Sequence, residues 1–239
     1  MSSIHTLPKF AFPYDSHRFA GQATDERILY ITREHPLFLY GRLLAVAGVT
    51  AAVLGAGLLL MNVVAQMLSG WSAAAILPVA LLLAGGFLVV GIWWAYSLWQ
   101  KSLAILTNKR LLKIIYTTPF NRYNQSLPLE MIVDTSCNNQ GFFEGVAASL
   151  LQIGTLTARS SASSSGVATE NTDRVNKKYF YLENIKYCED LQQYLNKVIS
   201  LLRQSPVQLD TFRPFIPHLK HSDREQLLKD YEATKESVN

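Results

Sequence analysis

The residues that could do chemistry are few, and they are poorly grouped. His218 and His221 stand three positions apart, a spacing that sets two imidazoles on one helical face. They lie in a proline-flanked stretch with no evident third ligand, so the plainer reading is two solvent-facing or capping side chains. His5, His17 and His35 form no pattern. Cys137 and Cys188 are the only cysteines and match no metal motif; in a reducing compartment they are expected to stay two ordinary buried thiols. Gly55-Ala56-Gly57 and Gly85-Gly86 lack the strand-to-helix setting of a phosphate loop, and no nucleophile elbow or zinc-protease motif occurs. The expectation is a non-enzymatic protein with no cofactor and no metal.

Basic residues offer the other chemistry. Lys101, Lys109, Arg110 and Lys113 follow one another closely and could touch anionic lipid headgroups, each contact being worth about 1 kcal/mol near a surface. The plainer alternative is that they only fix topology. The net charge of +4 is modest, and no basic stripe of the kind that binds nucleic acid is present.

Those cations are placed by what precedes them. From Leu43 to Gln100 there is no Asp, Glu, Lys or Arg. A bilayer core needs roughly 20 apolar residues per helix, so this run holds two spans. The first reads as residues 37–68, opened by Pro36; the second as 73–99, with Pro78 in its first turns and Trp93, Trp94, Tyr96 and Trp99 as an aromatic belt. Ser69-Gly70-Trp71-Ser72 connects them. Arg27, Arg33 and Arg42 precede the pair and the four cations above follow it, which predicts a multi-pass membrane protein with both termini cytoplasmic. Residues 1–36 lack the apolar core and cleavage site of a secretory signal. A span pair without ionisable groups reads as an anchor rather than a conduit. Gly48, Ala51, Ala52 and Gly55 provide small-residue spacing for helix packing, within the hairpin first and with a second copy or a partner helix otherwise.

Four zones follow: an N-terminal arm (1–36), the hairpin (37–100), a cytoplasmic domain (101–204) and a tail (205–239). Residues 26–32 are β-branched and aromatic, suiting a strand or an interfacial segment. Residues 102–107 and 111–116 read as strands about an Asn108-Lys109-Arg110 turn. Further strands are expected at 131–137, with Met131, Val133, Thr135 and Cys137 on one face, and at 152–158 and 179–182. Residues 141–151 suit a short helix or an apolar loop, and 160–172 a Ser-rich loop. Cys188, Leu191, Leu195, Val198 and Leu202 form the seam of an amphipathic helix, with Asn184 as its N-cap. In the tail, Ser222 to Glu225 has capping-box spacing; Phe212, Phe215, Ile216, Leu227, Leu228 and Tyr231 provide apolar side chains for docking a partner.

The order of these features resembles the bacterial PH-like domain family of small membrane proteins, which combine a transmembrane hairpin with one PH-type module. Residues 25–36 are similar to the family's charged-apolar segment before its first span. Leu106-Thr107-Asn108-Lys109-Arg110 is similar to its "ITNKR" turn, and residues 126–132 to its "I-P-L-x-x-I" element. Gly141-Phe142-Phe143 and Ile153-Gly154-Thr155-Leu156 match its glycine-anchored strand entry; the tail after about Gln204 has no counterpart. The resemblance implies a membrane α-helical hairpin plus a mainly-β PH-like domain, a bent antiparallel sheet capped by a C-terminal helix, in a bacterial inner membrane. It does not imply inositol-lipid binding, and a fold does not give a function. The expected function is a membrane-anchored PH-like module that docks proteins or organises a complex at the cytoplasmic face. The alternative is an anionic-lipid-sensing or export-accessory protein. Its partners would be membrane lipids and a protein or a second copy of itself, and not nucleic acid.

Overall fold

A computed structural model describes residues 12, 14, 17–67, 73–138, 152–161, 168–169, 178–205, 209, 212–217 and 220–238. The expected connection at 69–72, the segment 141–151, His218 and most of the Ser-rich loop lie outside these residues. The chain divides into two compact units, residues 36–99 and the remainder.

The smaller unit is made of α1 (Pro36–Met67) and α2 (Ala73–Lys101), the latter running on through Lys101 into the larger unit. Pro36 sits at the first helical position, where its missing N–H costs nothing. Segments Pro36–Val63 and Leu77–Lys101 are long and apolar enough to cross a membrane. Neither helix has a polar face, so their outward side chains, such as Leu44, Leu59, Leu82 and Phe87, stand exposed in the absence of lipid. The less exposed positions recur at steps of three and four: Leu43, Val46, Thr50 and Leu54 on α1, and Ala84, Leu88, Gly91 and Ala95 on α2. A Cβ at Gly91 would meet a Val46 methyl at 2.6 Å, so the helices are closely packed there. Thr50 is buried, and its hydroxyl donates to the Val46 carbonyl at 2.8 Å.

Among the described residues, the larger unit holds two antiparallel sheets and two α-helices. β1 (Ile28–Thr32), β2 (Leu103–Thr107), β3 (Arg110–Tyr116), β4 (Arg122–Pro128) and the short β7 (Ala168–Thr169) lie side by side in that order. β5 (Ile132–Asn138), β6 (Ile153–Ser160) and β8 (Tyr179–Lys186) form the second sheet. α3 (Cys188–Gln204) packs its Cys188, Leu191, Leu195 and Val198 seam into the core between them, and α4 (His221–Val238) follows. Two sheets and a helix around one apolar core agree with the expected mainly-β domain.

The order β1–β2 has a consequence for the membrane helices. These neighbours pair antiparallel, Thr32 opposite Ala104 and Ile31 opposite Ile105. α1 and α2 are therefore an insertion between two adjacent strands. Only Arg33, Glu34 and His35 separate β1 from α1, and only Ser102 separates α2 from β2.

Two local expectations need correction. Met131 ends a 3-10 turn (Leu129–Met131) before β5 and is 42% exposed; on β5 itself Ile132 and Thr135 are buried while Val133 is 50% exposed. The register breaks between Ile132 and Asp134, and such a bulge swaps the side-chain faces that strict alternation would assign. Asn184 does not cap α3. It belongs to β8 in a left-handed conformation (φ 56°), and Tyr187 (φ 64°) is the residue that turns the chain into the helix.

Candidate functional site

The β2–β3 turn shows how the sequence-selected cations are used. Thr107 is fully buried, and its hydroxyl donates to Glu26 Oε1 at 2.8 Å while accepting the Lys109 and Arg110 N–H groups at 3.2 and 2.9 Å. The Asn108 side chain accepts from the Arg27 N–H at 2.9 Å and donates to the Asp25 carbonyl at 3.2 Å. Arg110 Nε and Nη2 both donate to the Glu26 carboxylate at 2.9 Å, and Lys109 pairs with Asp25. Each residue of the Thr-Asn-Lys-Arg turn thus grips the Asp25-Glu26-Arg27 segment of the arm. The Glu26 side chain is 1% exposed. Burial alone would raise its carboxyl, but the donors from Arg110, Thr107 and Ala23 outweigh that and hold it below the usual carboxylate range.

Two of the four proposed headgroup ligands, Lys109 and Arg110, therefore carry a carboxylate partner from their own chain. Lys113 carries another, Glu183 at 3.1 Å. The turn also lies at the end of the sheet opposite Thr32 and Leu103, where the chain joins the apolar helices. Lys113, opposite Ala104, and Lys101 are nearer the joining end. The Lys101 ammonium donates to the Pro119 carbonyl at 2.8 Å and stands over the Tyr116 ring.

The tail residues were expected to dock a partner, but the chain itself takes up most of their apolar surface. Phe215, Ile216 and Leu228 are buried. The Phe215 N–H donates to the Leu29 carbonyl at 2.9 Å, and Tyr14 donates through its hydroxyl to the Phe215 carbonyl at 3.2 Å. Phe212 lies on the Tyr194 ring, Tyr231 meets Phe12, and Leu227 is half-buried. Tyr14, Tyr30, Phe215 and Tyr194 form a chain of ring contacts that ties arm, sheet, tail and α3 together. Burial raises all three of these phenols, Tyr30 to about 12. The described parts of arm and tail thus belong to the folded domain.

Gly48, Ala51, Ala52 and Gly55 are likewise not where hairpin packing would need them. All four are exposed, and open space lies beyond the two glycines. The α1–α2 seam uses Gly91 against Val46 instead.

Two depressions remain. An open cleft of about 690 Å³ lies within the arm, walled by His17, Phe19, Gln22, Glu26 and Asn108 among others. Gln22, Glu26 and Asn108 are engaged in holding the arm's own turns, and burial lowers the His17 imidazole from its ordinary value. The second is a groove of about 340 Å³ between β5 and α3, lined by Val133, Thr135, Asn196, Ile199 and Arg203 among others. Among the described strands, β5 lies at the edge of its sheet. Along that edge Gln192 Nε2 donates to the Thr135 carbonyl at 2.7 Å and Arg203 Nη2 to the Ile132 carbonyl at 2.8 Å. Side chains of a helix, not another strand, satisfy these two carbonyls.

At the far end of the same groove the two cysteines overturn the expectation of separate thiols. Cys137 on β5 and Cys188, the first residue of α3, form a disulfide with Cα atoms 5.9 Å apart. Their distance in sequence hid this, because only the return of β8 into α3 brings them together. Among the described residues no group of three or more His, Cys, Asp or Glu could hold a metal ion.

The sequence matches no protein-family model, and neither characterised proteins nor solved structures provide a significant match.

Proposed function

We propose that this chain is a non-enzymatic, membrane-anchored module of PH-like form that docks a protein partner at the cytoplasmic face of a bacterial inner membrane. The observation that carries the reading is the β5 edge. An edge strand flanked by an amphipathic helix can take an extended segment, with backbone hydrogen bonds for affinity and a side-chain groove for selectivity. The Gln192 and Arg203 side chains cover that edge, and an added segment would take over their hydrogen bonds to the Thr135 and Ile132 carbonyls. The hairpin then serves as the anchor, and multi-pass topology with both termini on one side is supported by the β1–β2 pairing across the apolar insertion. The headgroup-sensing alternative loses support, since Lys109, Arg110 and Lys113 are occupied by carboxylates of the same chain.

A photo-crosslinking side chain placed at Val133, which is half exposed, should capture one discrete partner in living cells. A Val133→Lys substitution should abolish stoichiometric co-purification in mild detergent, since an edge lysine blocks strand addition without disturbing the fold. Unchanged co-purification with the edge blocked, or a crosslinker that captures nothing discrete at Val133, sinks the assignment.

A further inference from the structure

Outside the apolar helices, one large side chain stands almost fully in the open. Phe120 is 86% exposed, the highest value among the large hydrophobic residues described. It sits in the connection between β3 and β4, beside the buried Pro119. That connection is ordered by its own bonds: the Thr117 N–H donates to the Asn121 carbonyl at 3.2 Å, and the Asn121 N–H to Thr118 Oγ1 at 2.9 Å. A bare phenyl ring on a well-formed turn presents apolar area that an apolar or interfacial environment would take up favourably.

The strand order says what lies nearby. β2 begins at Leu103 and β3 runs back beside it, so Leu103 faces Ile114 and the β3–β4 connection returns to the end of the sheet where the chain leaves α2. Lys101 closes the uncharged run and marks the level at which the second span gives way to polar headgroups. Its ammonium is 2.8 Å from the Pro119 carbonyl, one residue from Phe120. Exposed Arg122 follows two residues later. An aromatic ring with flanking cations at the level of a span terminus is the composition that partitions into a membrane interface.

We propose that the β3–β4 turn is a separate membrane contact of the folded domain: Phe120 enters the interfacial layer of the leaflet in which α2 ends, with Arg122 directed at headgroup phosphates. The contact would hold the domain at a third point besides the two chain crossings. It rests on the reading of α1 and α2 as membrane spans, but it does not depend on any protein partner.

The native cysteines are bonded to each other, so a Phe120→Cys variant of the oxidised full-length protein carries a single reactive thiol. A polarity-sensitive fluorophore at that position, in vesicles of mixed neutral and anionic lipid, should be quenched severalfold more by a lipid nitroxide near the headgroup than by aqueous iodide. Labels at Leu82, in the apolar part of α2, and at Glu130, at the opposite end of the sheet, provide the references. Strong iodide quenching at 120 with lipid quenching at Leu82 overturns the proposal and leaves the spans intact. An unquenched label at Leu82 removes the span reading, and the proposal with it. Equal lipid quenching at 120 and at Glu130 also overturns it, since the fluorophore would then be partitioning by itself.

Discussion

Removing the Glu26 carboxylate tests the grip of the β2–β3 turn on the arm. Glu26 accepts from Thr107, from Arg110 twice and from the Ala23 N–H, and its side chain is 1% exposed. Breaking one side of a buried ion pair costs about 3–5 kcal/mol, most of it from the charge left behind. Here the charge left behind is Arg110, whose side chain is 29% exposed and also donates to the Gly21 carbonyl, so water can reach part of it. The Glu26→Ala substitution is therefore expected at the low end, about 3 kcal/mol. Glu26→Gln, which keeps an acceptor for Thr107, should cost about 2 kcal/mol. Combining Glu26→Gln with Arg110→Gln should cost less than the sum of the single changes by about 1–2 kcal/mol. Because the folded carboxyl lies below its ordinary value, the folded state binds fewer protons than the unfolded chain in the acidic range. The contribution is complete above the ordinary carboxylate range and is lost as pH falls through the lower, folded value. Urea unfolding of the full chain in detergent, followed by the near-ultraviolet circular dichroism of the buried tyrosines, measures all of this. A Glu26→Ala protein within about 0.5 kcal/mol of the parent at neutral pH would refute the reasoning, since that is the range of an ordinary surface change.

Three further outcomes are expected. The Cys137–Cys188 bond closes a loop of 51 residues, which in the chain-entropy model is worth about 4 kcal/mol, so reductant should lower the urea midpoint of the oxidised protein markedly and a Cys188→Ala protein should be insensitive to it. Gly91→Leu should loosen the α1–α2 pair by about 1–3 kcal/mol through overpacking against Val46, and Val46→Ala should restore part of the loss in a detergent stability assay. Phe215→Ala, which removes a ring from the Tyr30 and Tyr194 contacts, should cost about 3–5 kcal/mol and expose the tail to limited proteolysis, whereas Phe120→Ala should cost almost nothing.

Much of the scaffold was legible because the signals that specify it are local. The uncharged run announces two apolar helices without reference to anything else in the chain. The Asn108-Lys109 turn lies between two β-branched stretches, and the three-and-four spacing of Leu191, Leu195 and Val198 marks the buried side of α3. Whatever depended on distant residues was not legible. β4 reads Arg-Tyr-Asn-Gln-Ser-Leu-Pro, with no apolar alternation strong enough to identify it, and it becomes a strand because β3 pairs with it along its whole length. Arg110 and Glu26 are 84 residues apart, so a cation that looks free in sequence is half of a buried pair. Phe215 and Ile216 show the same ambiguity in apolar form, because an exposed docking patch and a segment folded onto its own domain have the same composition. The bulge on β5 illustrates the remaining failure: one irregular step at Val133 was enough to separate its face from that of Thr135.

The pairing of β1 with β2 also constrains how the protein meets a membrane. Two strands that share backbone hydrogen bonds must lie on the same side of a bilayer, so whatever joins them crosses an even number of times or not at all. The joining segment contains two helices of spanning length and apolarity, which fits two crossings. Which side holds the sheets is then a contest between two signals. The basic residues before α1 and after α2 favour the cytoplasm, and they act while the hairpin inserts, before any tertiary structure exists. The cysteine pair favours an oxidising space, but it can form only once β5 and α3 have come together, so it has no part in deciding the topology. The proposed cytoplasmic placement rests on the first signal, and it carries a consequence for the second: in a reducing compartment the Cys137–Cys188 pair would be held as adjacent thiols and would close into the bond on exposure to oxidant. Alkylation of acid-quenched cells should accordingly find both cysteines as thiols, and blocked cysteines in intact cells would reverse the orientation.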